Sequence, residues 1–204
     1  RFSVPTQLSS GLSLRPDGSV FIYDTGSGDI LAVNADGSFA ATPAVTSTQL
    51  GGVGLDDSLA IAGDTLYFGS NDTDAYHSFD LNTNSFGFVL DTATIESVTD
   101  DIDGRAGFGT NFVGPDGLIY FEETDSDHLL AFDPSDPANS LTVVLSEQEL
   151  NDGPGSDNVG QITWLDGEVA WTNVGGGFYA VPEPASMGLA FGAFALTALH
   201  RRKA

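Results

Sequence analysis

The sequence predicts an all-β fold of repeated four-stranded antiparallel units, as in a β-propeller, followed by one C-terminal apolar helix. Turn dipeptides recur at Asp17-Gly18, Gly63-Asp64, Asp116-Gly117 and Asp166-Gly167, at intervals of 47, 52 and 50 residues. Each dipeptide lies between two short β-rich runs, and this pattern is typical of a β-hairpin. Four short strands in a repeat of about 50 residues are typical of propeller blades.

A polar turn and a third β-rich run follow each of these hairpins. The third runs are residues 30–34, 76–80, 129–133 and 178–181. Three units have a fourth run, at residues 39–45, 86–90 and 141–145. No stretch before residue 185 shows a helical period of apolar residues, so we predict no helix in that part of the chain.

The spacing of these runs places a repeat domain at residues 1–180, with units at 8–50, 51–98, 105–150 and 156–181, and a separate segment at 181–204. Four units fit either a complete ring of four blades or a fragment of a larger ring. A β-sandwich is the alternative fold, because short strands with Gly-rich turns fit it too. Residues 129–134, Leu-Leu-Ala-Phe-Asp-Pro, resemble the third strand of blades in NHL-, lactonase- and quinoprotein-like propellers.

The body of the chain is strongly acidic. Residues 1–180 contain 28 Asp and Glu side chains, three Arg and no Lys. Such a surface repels phosphate backbones and anionic lipids, so we exclude nucleic acid as a partner. Cysteine is absent, which means that an exported form has no disulfide and depends on its core for stability.

Pairs of Asp residues occupy the predicted turns between second and third strands. Asp72 and Asp74 lie in the turn of the second unit, and Asp125 and Asp127 lie in the matching turn of the third. Turns on one face of a propeller lie near one another, and Ca²⁺ takes carboxylate oxygens as ligands. A calcium site is therefore one interpretation of these four residues. The other is that Asp favours such turns because its side chain bonds to the nearby backbone.

The remaining site patterns are incomplete. Residues 51–56 match the start of a calcium-binding nonapeptide repeat, but such sites need several tandem copies, so we expect an inter-unit loop there. Residues 100–104 resemble the start of an EF-hand loop, but Phe112 stands where a bidentate acid is required. Zinc ligands are too few for a cluster, since the chain has no Cys and three His. We assign no catalytic residue, and no cofactor beyond the Ca²⁺ interpretation.

The last 24 residues combine three features in order. Val181, Pro182, Glu183 and Pro184 come first, an uncharged stretch at 185–199 follows, and Arg201, Arg202 and Lys203 stand just before the end. The prolines cannot continue a helix, so we expect an exposed extended strip there. The uncharged stretch is shorter than the about 20 residues of a full transmembrane helix, and the basic cluster favours the cytoplasmic side as a membrane stop.

These three features resemble the PEP-CTERM sorting signal of Gram-negative bacteria that make exopolysaccharide. The resemblance implies export, transient anchoring in the inner membrane, and cleavage near the Pro-Glu-Pro motif by an exosortase-type enzyme. A permanent tail anchor and a buried C-terminal helix are the alternatives. The chain begins Arg1-Phe2 without an apolar export segment, which indicates either a removed signal peptide or missing upstream sequence.

We therefore expect an exported, non-enzymatic protein of the cell surface or extracellular matrix, which contributes to an exopolysaccharide or biofilm layer through binding. One alternative is a propeller hydrolase of the lactonase type with an unrecognised metal site. Another is a membrane-tethered module that binds carbohydrate or protein. The expected partners are the processing enzyme and, transiently, the inner membrane, with exopolysaccharide as a candidate ligand.

Overall fold

The computed structural model describes residues 8–15, 17–34, 36–56, 59–151, 159–165, 168–173 and 178–182. The chain divides into two compact units, Arg1–Leu150 and Asn151–Ala204. Three antiparallel sheets lie in the first unit and one described sheet lies in the second. Strands that are adjacent in the chain are adjacent in each sheet, so every sheet is an up-and-down meander like a propeller blade.

The strands fall into these four sheets in chain order. The first sheet contains β1 (Leu8–Leu14), β2 (Val20–Asp24) and β3 (Asp29–Val33). The second contains β4 (Ala60–Ala62), β5 (Thr65–Ser70), β6 (Ala75–Asp80) and β7 (Ser85–Asp91). The third contains β8 (Phe108–Val113), β9 (Ile119–Glu123), β10 (His128–Phe132) and β11 (Thr142–Leu145). The fourth contains β12 (Val159–Leu165), β13 (Glu168–Asn173) and β14 (Phe178–Pro182).

The predicted fourth strand of the first unit does not form. Residues 39–45 make only two isolated bridges, from Phe39 to Val33 and from Val45 to Ile30. Pro43 lies between these bridges and has no backbone N–H to donate to a strand ladder. The first sheet therefore has three strands, whereas the second and third sheets each have four.

The prediction that the repeat domain lacks helices is wrong. The structure contains α1 (Thr92–Thr99), α2 (Pro137–Ser140) and α3 (Glu147–Asn151). Asp91 caps α1, because its side chain accepts a hydrogen bond of 2.8 Å from the backbone N–H of Thr94. Among its apolar side chains only Ile95 is fully buried, so this short helix carries little of the apolar period that reveals a helix in sequence.

The second sheet buries both of its faces. Strand alternation sends Leu66 and Phe68 to one face, where they join Ile30 of the first sheet in one core cluster. Tyr67 and Tyr76 belong to the other face, in a cluster with residues of the third sheet. A two-sheet sandwich has no sheet that is covered on both faces by other sheets, so this packing favours the propeller over the β-sandwich.

The first strands of the three sheets are neighbours, because β4 contacts both β1 and β8. This is the arrangement of the innermost strands around the axis of a propeller. The second and third sheets approach most closely at Gly69 of β5. A Cβ atom added there would lie 2.1 Å from Cγ of Phe108, so the packing requires a residue without a side chain.

The unit Asn151–Ala204 contains the sheet β12–β13–β14. Strand β14 contains the third run that we expected at residues 178–181, where Val181 pairs with Val169, and it ends at Pro182, which we expected in the extended strip. Glu183, Pro184, residues 185–199 and Arg201, Arg202 and Lys203 lie outside the described residues. Within the described part of the chain, no helix has the length and apolar character needed to cross a membrane.

Candidate functional site

The Asp-rich turns between second and third strands have the same backbone form in two sheets. They are the four-residue turns 71–74 and 124–127. Their last residues, Asp74 and Asp127, have positive φ angles of 47° and 52°, and Gly28 holds this position in the first sheet with φ 75°. Asp tolerates this left-handed region better than most residues. Asp74 and Asp127 thus have a backbone role in closing their turns.

A buried carboxylate organises the turn of the third sheet. Glu123, the last residue of β9, is 2% exposed. It accepts hydrogen bonds from the backbone N–H groups of Gly107 at 2.9 Å, Asp125 at 3.2 Å and Ser126 at 2.7 Å, and from the Ser126 hydroxyl. These donors satisfy a carboxylate that burial would otherwise destabilise. Glu123 therefore holds the turn 124–127 in place through these hydrogen bonds.

The first sheet repeats this device at the same strand position. Asp24, the last residue of β2, is 1% exposed and accepts from Gly26 N–H at 3.0 Å and from the Ser27 hydroxyl at 2.7 Å. Neither Asp24 nor Glu123 was identified from the sequence. A signal was present, because each acid is followed by Thr at the next position and by Ser three residues on.

The loop at residues 100–107 connects α1 to β8 and joins the two turns. The Asn71 side chain accepts from Phe108 N–H at 3.0 Å, which ties the loop end to the turn 71–74. Thr124 N–H donates to the Gly107 carbonyl at 3.1 Å, which ties it to the turn 124–127. At the other end of the loop, Gly104 N–H donates to Glu96 of α1 at 2.6 Å. Residues 100–104, which resemble the start of an EF-hand loop, thus follow α1 directly and belong to this hydrogen-bonded loop.

Two adjoining open cavities flank Asp125. One has a volume of about 430 Å³ and lies between Asp74, Arg105 and Asp125. The other has a volume of about 290 Å³ and is lined by Asp125 and Asp127 together with Asp101 and His128. The structure thus brings Asp125 next to Asp74 on one side and next to Asp127 on the other.

Negative charge accumulates at Asp125. Burial raises the pKa of the Asp125 carboxyl, and the nearby carboxylates of Asp103, Asp101 and Asp74 raise it further. Arg105 opposes these effects by favouring the ionised form. The surface around the two cavities therefore attracts cations.

Asp72 does not line either cavity. Its carboxylate lies against Gly54, where an added Cβ would be 2.9 Å from Oδ2 of Asp72. Among the residues that the structure describes, no three Asp, Glu or His side chains converge closely enough to hold a metal ion. Calcium binding by Asp72, Asp74, Asp125 and Asp127 therefore stays a prediction.

A third cavity lies among the first strands of the three sheets. Its volume is about 200 Å³, and its lining includes Ser13 of β1, Ile61 of β4 and Asn111 of β8. Asn111 is buried, and its side-chain amide donates to the Tyr67 carbonyl at 3.4 Å. This position corresponds to the central channel of a propeller.

Comparisons with known proteins support this architecture. No protein-family model and no curated protein matches the sequence. The structure is similar to a nidogen/laminin complex chain, with a TM-score of 0.62 and 13% identity over 84% of this chain and 59% of that chain. It is also similar to YCF48 bound to D1 peptide, with a TM-score of 0.60 and 12% identity over 89% of this chain and 53% of the other.

A third neighbour is the dihydro-heme d1 dehydrogenase NirN in complex with DHE, with a TM-score of 0.55 and 13% identity over 91% of this chain and 36% of that chain. YCF48 and NirN are β-propeller proteins. The chain has a β-propeller-type fold. It spans 59% or less of the length of these three neighbours, and at such low identity the similarity concerns the fold alone.

Proposed function

We propose that this chain is an exported, non-enzymatic binding protein of the cell surface or extracellular matrix, sorted and cleaved at its C-terminal tail by an exosortase-type enzyme. The observation that carries this proposal is the order of the three tail features. A Pro-Glu-Pro strip, an uncharged stretch and a basic cluster follow one another at residues 181–204. Each suits one step, since the strip offers a cleavage site, the stretch enters the bilayer, and the basic cluster stops transfer.

The charge of the body supports an extracellular role. The formal net charge is −23 with the basic tail included, so removal of Arg201–Lys203 leaves a product that is still more acidic. A highly charged surface keeps such a product soluble and free of anionic membranes after release. A propeller-type fold presents its turns and loops on exposed faces, which suits binding to an exopolysaccharide or to another matrix component.

The proposal is tested by recovering the protein from its own host and measuring the intact mass of both the membrane and the released fractions. We expect the released form to end between Val181 and Pro184. Replacing Pro182 and Pro184 together with alanine removes both prolines of the Pro-Glu-Pro motif and should leave the uncleaved chain in the membrane fraction. In a matched control, Pro134 and Pro137, which lie outside the tail, are replaced with alanine. This control should be processed like the natural chain.

Retention of the basic tail would contradict cleavage. This outcome would be a natural chain that keeps Arg201, Arg202 and Lys203 and remains in the membrane fraction. The protein would then be a membrane-tethered binding module. A released chain that keeps its complete tail would contradict both anchoring and cleavage.

A further inference from the structure

Two aromatic side chains are exposed side by side on β7. Phe86 is 37% exposed and Phe88 is 62% exposed. Large apolar side chains with this much exposure number only four in the described part of the chain, and the other two, Leu14 and Ile102, are aliphatic. Phe86 and Phe88 are two positions apart on one strand, so they point to the same face, about 7 Å apart. Grouped exposed aromatics commonly mark a binding surface.

A buried ring holds this aromatic pair in place. His77 of β6 stacks on Phe86 with ring centroids 5.0 Å apart, and meets Phe88 edge to face at 5.8 Å. Phe68, which is fully buried, lies 5.7 Å from the His77 ring. The Thr73 hydroxyl lies 2.7 Å from Nε2 of His77 and fixes the ring plane. The exposed rings are therefore anchored to the core, so little conformational entropy is lost when a ligand covers them.

The environment of the imidazole in this stack favours its neutral form. Burial lowers the pKa of His77, and the Gly87 carbonyl only partly opposes this effect by favouring the protonated ring. The stack of Phe68, His77, Phe86 and Phe88 thus behaves as an uncharged aromatic platform.

The segment that carries this platform and a second segment that it contacts have no charged side chains of their own, although the carboxylates of Asp64, Asp29 and Asp72 lie against parts of them. Residues 81–90, which include the turn before β7, carry no charged side chain, and neither do residues 37–55. The two segments meet where the Gln49 amide donates to Asn84 Oδ1 at 3.3 Å. The exposed amide and hydroxyl groups of Gln49, Thr83, Asn84 and Ser85 on these segments form a polar fringe, and Ser85 directly precedes Phe86 on β7.

Charge decides which occupant suits this surface. A second copy of the chain brings its own net charge of −23 and is repelled, as is a polyanion. A cationic partner is drawn to the acidic turns around Asp125 rather than to a neutral patch. A neutral polysaccharide has C–H faces that stack on the electron-rich faces of aromatic rings, and hydroxyl groups that bond to an amide and hydroxyl fringe.

We propose that the exposed pair Phe86 and Phe88, backed by His77, is a binding platform for a neutral polysaccharide chain. The choice of a polysaccharide as the ligand rests on the matrix role proposed above, whereas the location of the platform does not. The spacing of the two rings allows consecutive sugar units to cover both of them. The uncharged fringe at residues 81–85 then supplies hydrogen bonds along one side of the sugar chain.

The test is affinity electrophoresis of the full chain in native gels that contain a neutral polysaccharide (hydroxyethyl cellulose, dextran or starch) or the polyanion alginate. We expect at least one neutral polymer to retard the natural chain and alginate to have no effect. Phe88→Ala should raise the dissociation constant obtained from the retardation about fivefold to tenfold, which is the loss of affinity expected when one aromatic stacking contact is removed. Phe88→Trp, which keeps a large ring, should bind as well as the natural chain or more tightly.

Ile102→Ala is the matched control, because Ile102 is 85% exposed and lies outside the platform. It should bind like the natural chain. The proposal is wrong if no neutral polymer retards the protein, if only alginate does, or if Phe88→Ala binds as well as the natural chain. Self-association in sedimentation velocity that Phe88→Ala abolishes would also overturn it and would identify a second copy as the occupant.

The two proposals fail independently. Neutral polysaccharide binding, together with a chain recovered from its own host that keeps its C-terminal tail, would support the platform and reject tail processing. Correct processing without any retardation would do the reverse.

Discussion

Replacing Gly69 by alanine tests how the second sheet packs on the third. An added Cβ would lie 2.1, 2.3 and 2.5 Å from three side-chain atoms of Phe108. Ordinary carbon–carbon contacts lie at about 3.5–4.0 Å, so Phe108 must move by more than 1 Å. Phe108 is 4% exposed and has ring centroids 5.7 Å from Tyr76 and 6.0 Å from Phe121. It therefore has little free space into which to move.

The expected cost follows from these contacts. Overpacking of a core costs about 1–3 kcal/mol. Alanine also lowers the conformational entropy of the unfolded chain relative to glycine, and this stabilises the folded state by about 0.4–1 kcal/mol. We therefore expect Gly69→Ala to lower the free energy of unfolding of the unit Arg1–Leu150 by about 1–2 kcal/mol.

Urea unfolding followed by far-UV circular dichroism measures this change. Tryptophan fluorescence is unsuitable, because Trp164 and Trp171 both lie in the other unit, Asn151–Ala204. Gly87→Ala is the matched control. Its added Cβ meets only the Ser78 hydroxyl at 2.8 Å and the Ser78 carbonyl at 3.9 Å, and a hydroxyl can rotate away. This control should unfold within about 0.5 kcal/mol of the natural chain.

A Gly69→Ala chain that unfolds at the natural urea midpoint would refute the close approach of β5 to Phe108. A double-mutant cycle sharpens the result. In a Phe108→Ala background the clash is absent, so Gly69→Ala should cost less than it does alone. Equal costs in both backgrounds would show that the penalty has another source.

Asp91→Ala should lower the free energy of unfolding by about 1 kcal/mol through loss of the α1 cap, whereas Asp91→Asn should stay close to the natural value. Hydrogen bonds from the side chain and backbone of Thr94 lower the pKa of Asp91. The carboxylate therefore stabilises the fold above its ordinary pKa of 3.8 and loses this effect as the pH falls through the lowered value. Urea unfolding of the natural and Asp91→Ala chains at pH 7 and pH 3 checks this, and an equal loss of unfolding free energy at both pH values would contradict it. If the acidic turns bind calcium, CaCl₂ should raise the thermal midpoint more than NaCl of equal ionic strength, and Asp125→Asn should remove that difference. Equal midpoints in the two salts would favour the turn role of these residues.

Local patterns in the sequence were sufficient for most of the fold. Alternating β-rich runs and Asp-Gly turns located the strands, since side-chain alternation and turn conformations depend on residues close in the chain. The exceptions have local causes as well. Pro43 interrupts the predicted strand at residues 39–45, and α1 depends on the Asp91 cap and on the single buried residue Ile95.

The candidate sites depended on contacts between residues far apart in the chain. The sequence grouped Asp72 with Asp74, but the structure leaves Asp72 against Gly54 and places Asp74 beside Asp125 and Arg105. The buried acid Glu123 draws its role from the loop at Gly107, 16 residues away. No periodicity in one segment can indicate such a partner, because the contact forms only when separate sheets and loops assemble.

The amino-acid sequence by itself determined the strand order, the turn positions, the acidic character and the three-part tail, because each is set by residue type and short-range spacing. Only the tertiary structure decided which aromatic side chains are core and which are surface. Phe68 and Phe86 look alike in sequence, yet one is fully buried and the other is 37% exposed. Burial depends on what a neighbouring sheet places opposite a strand, and this is a property of the assembled fold.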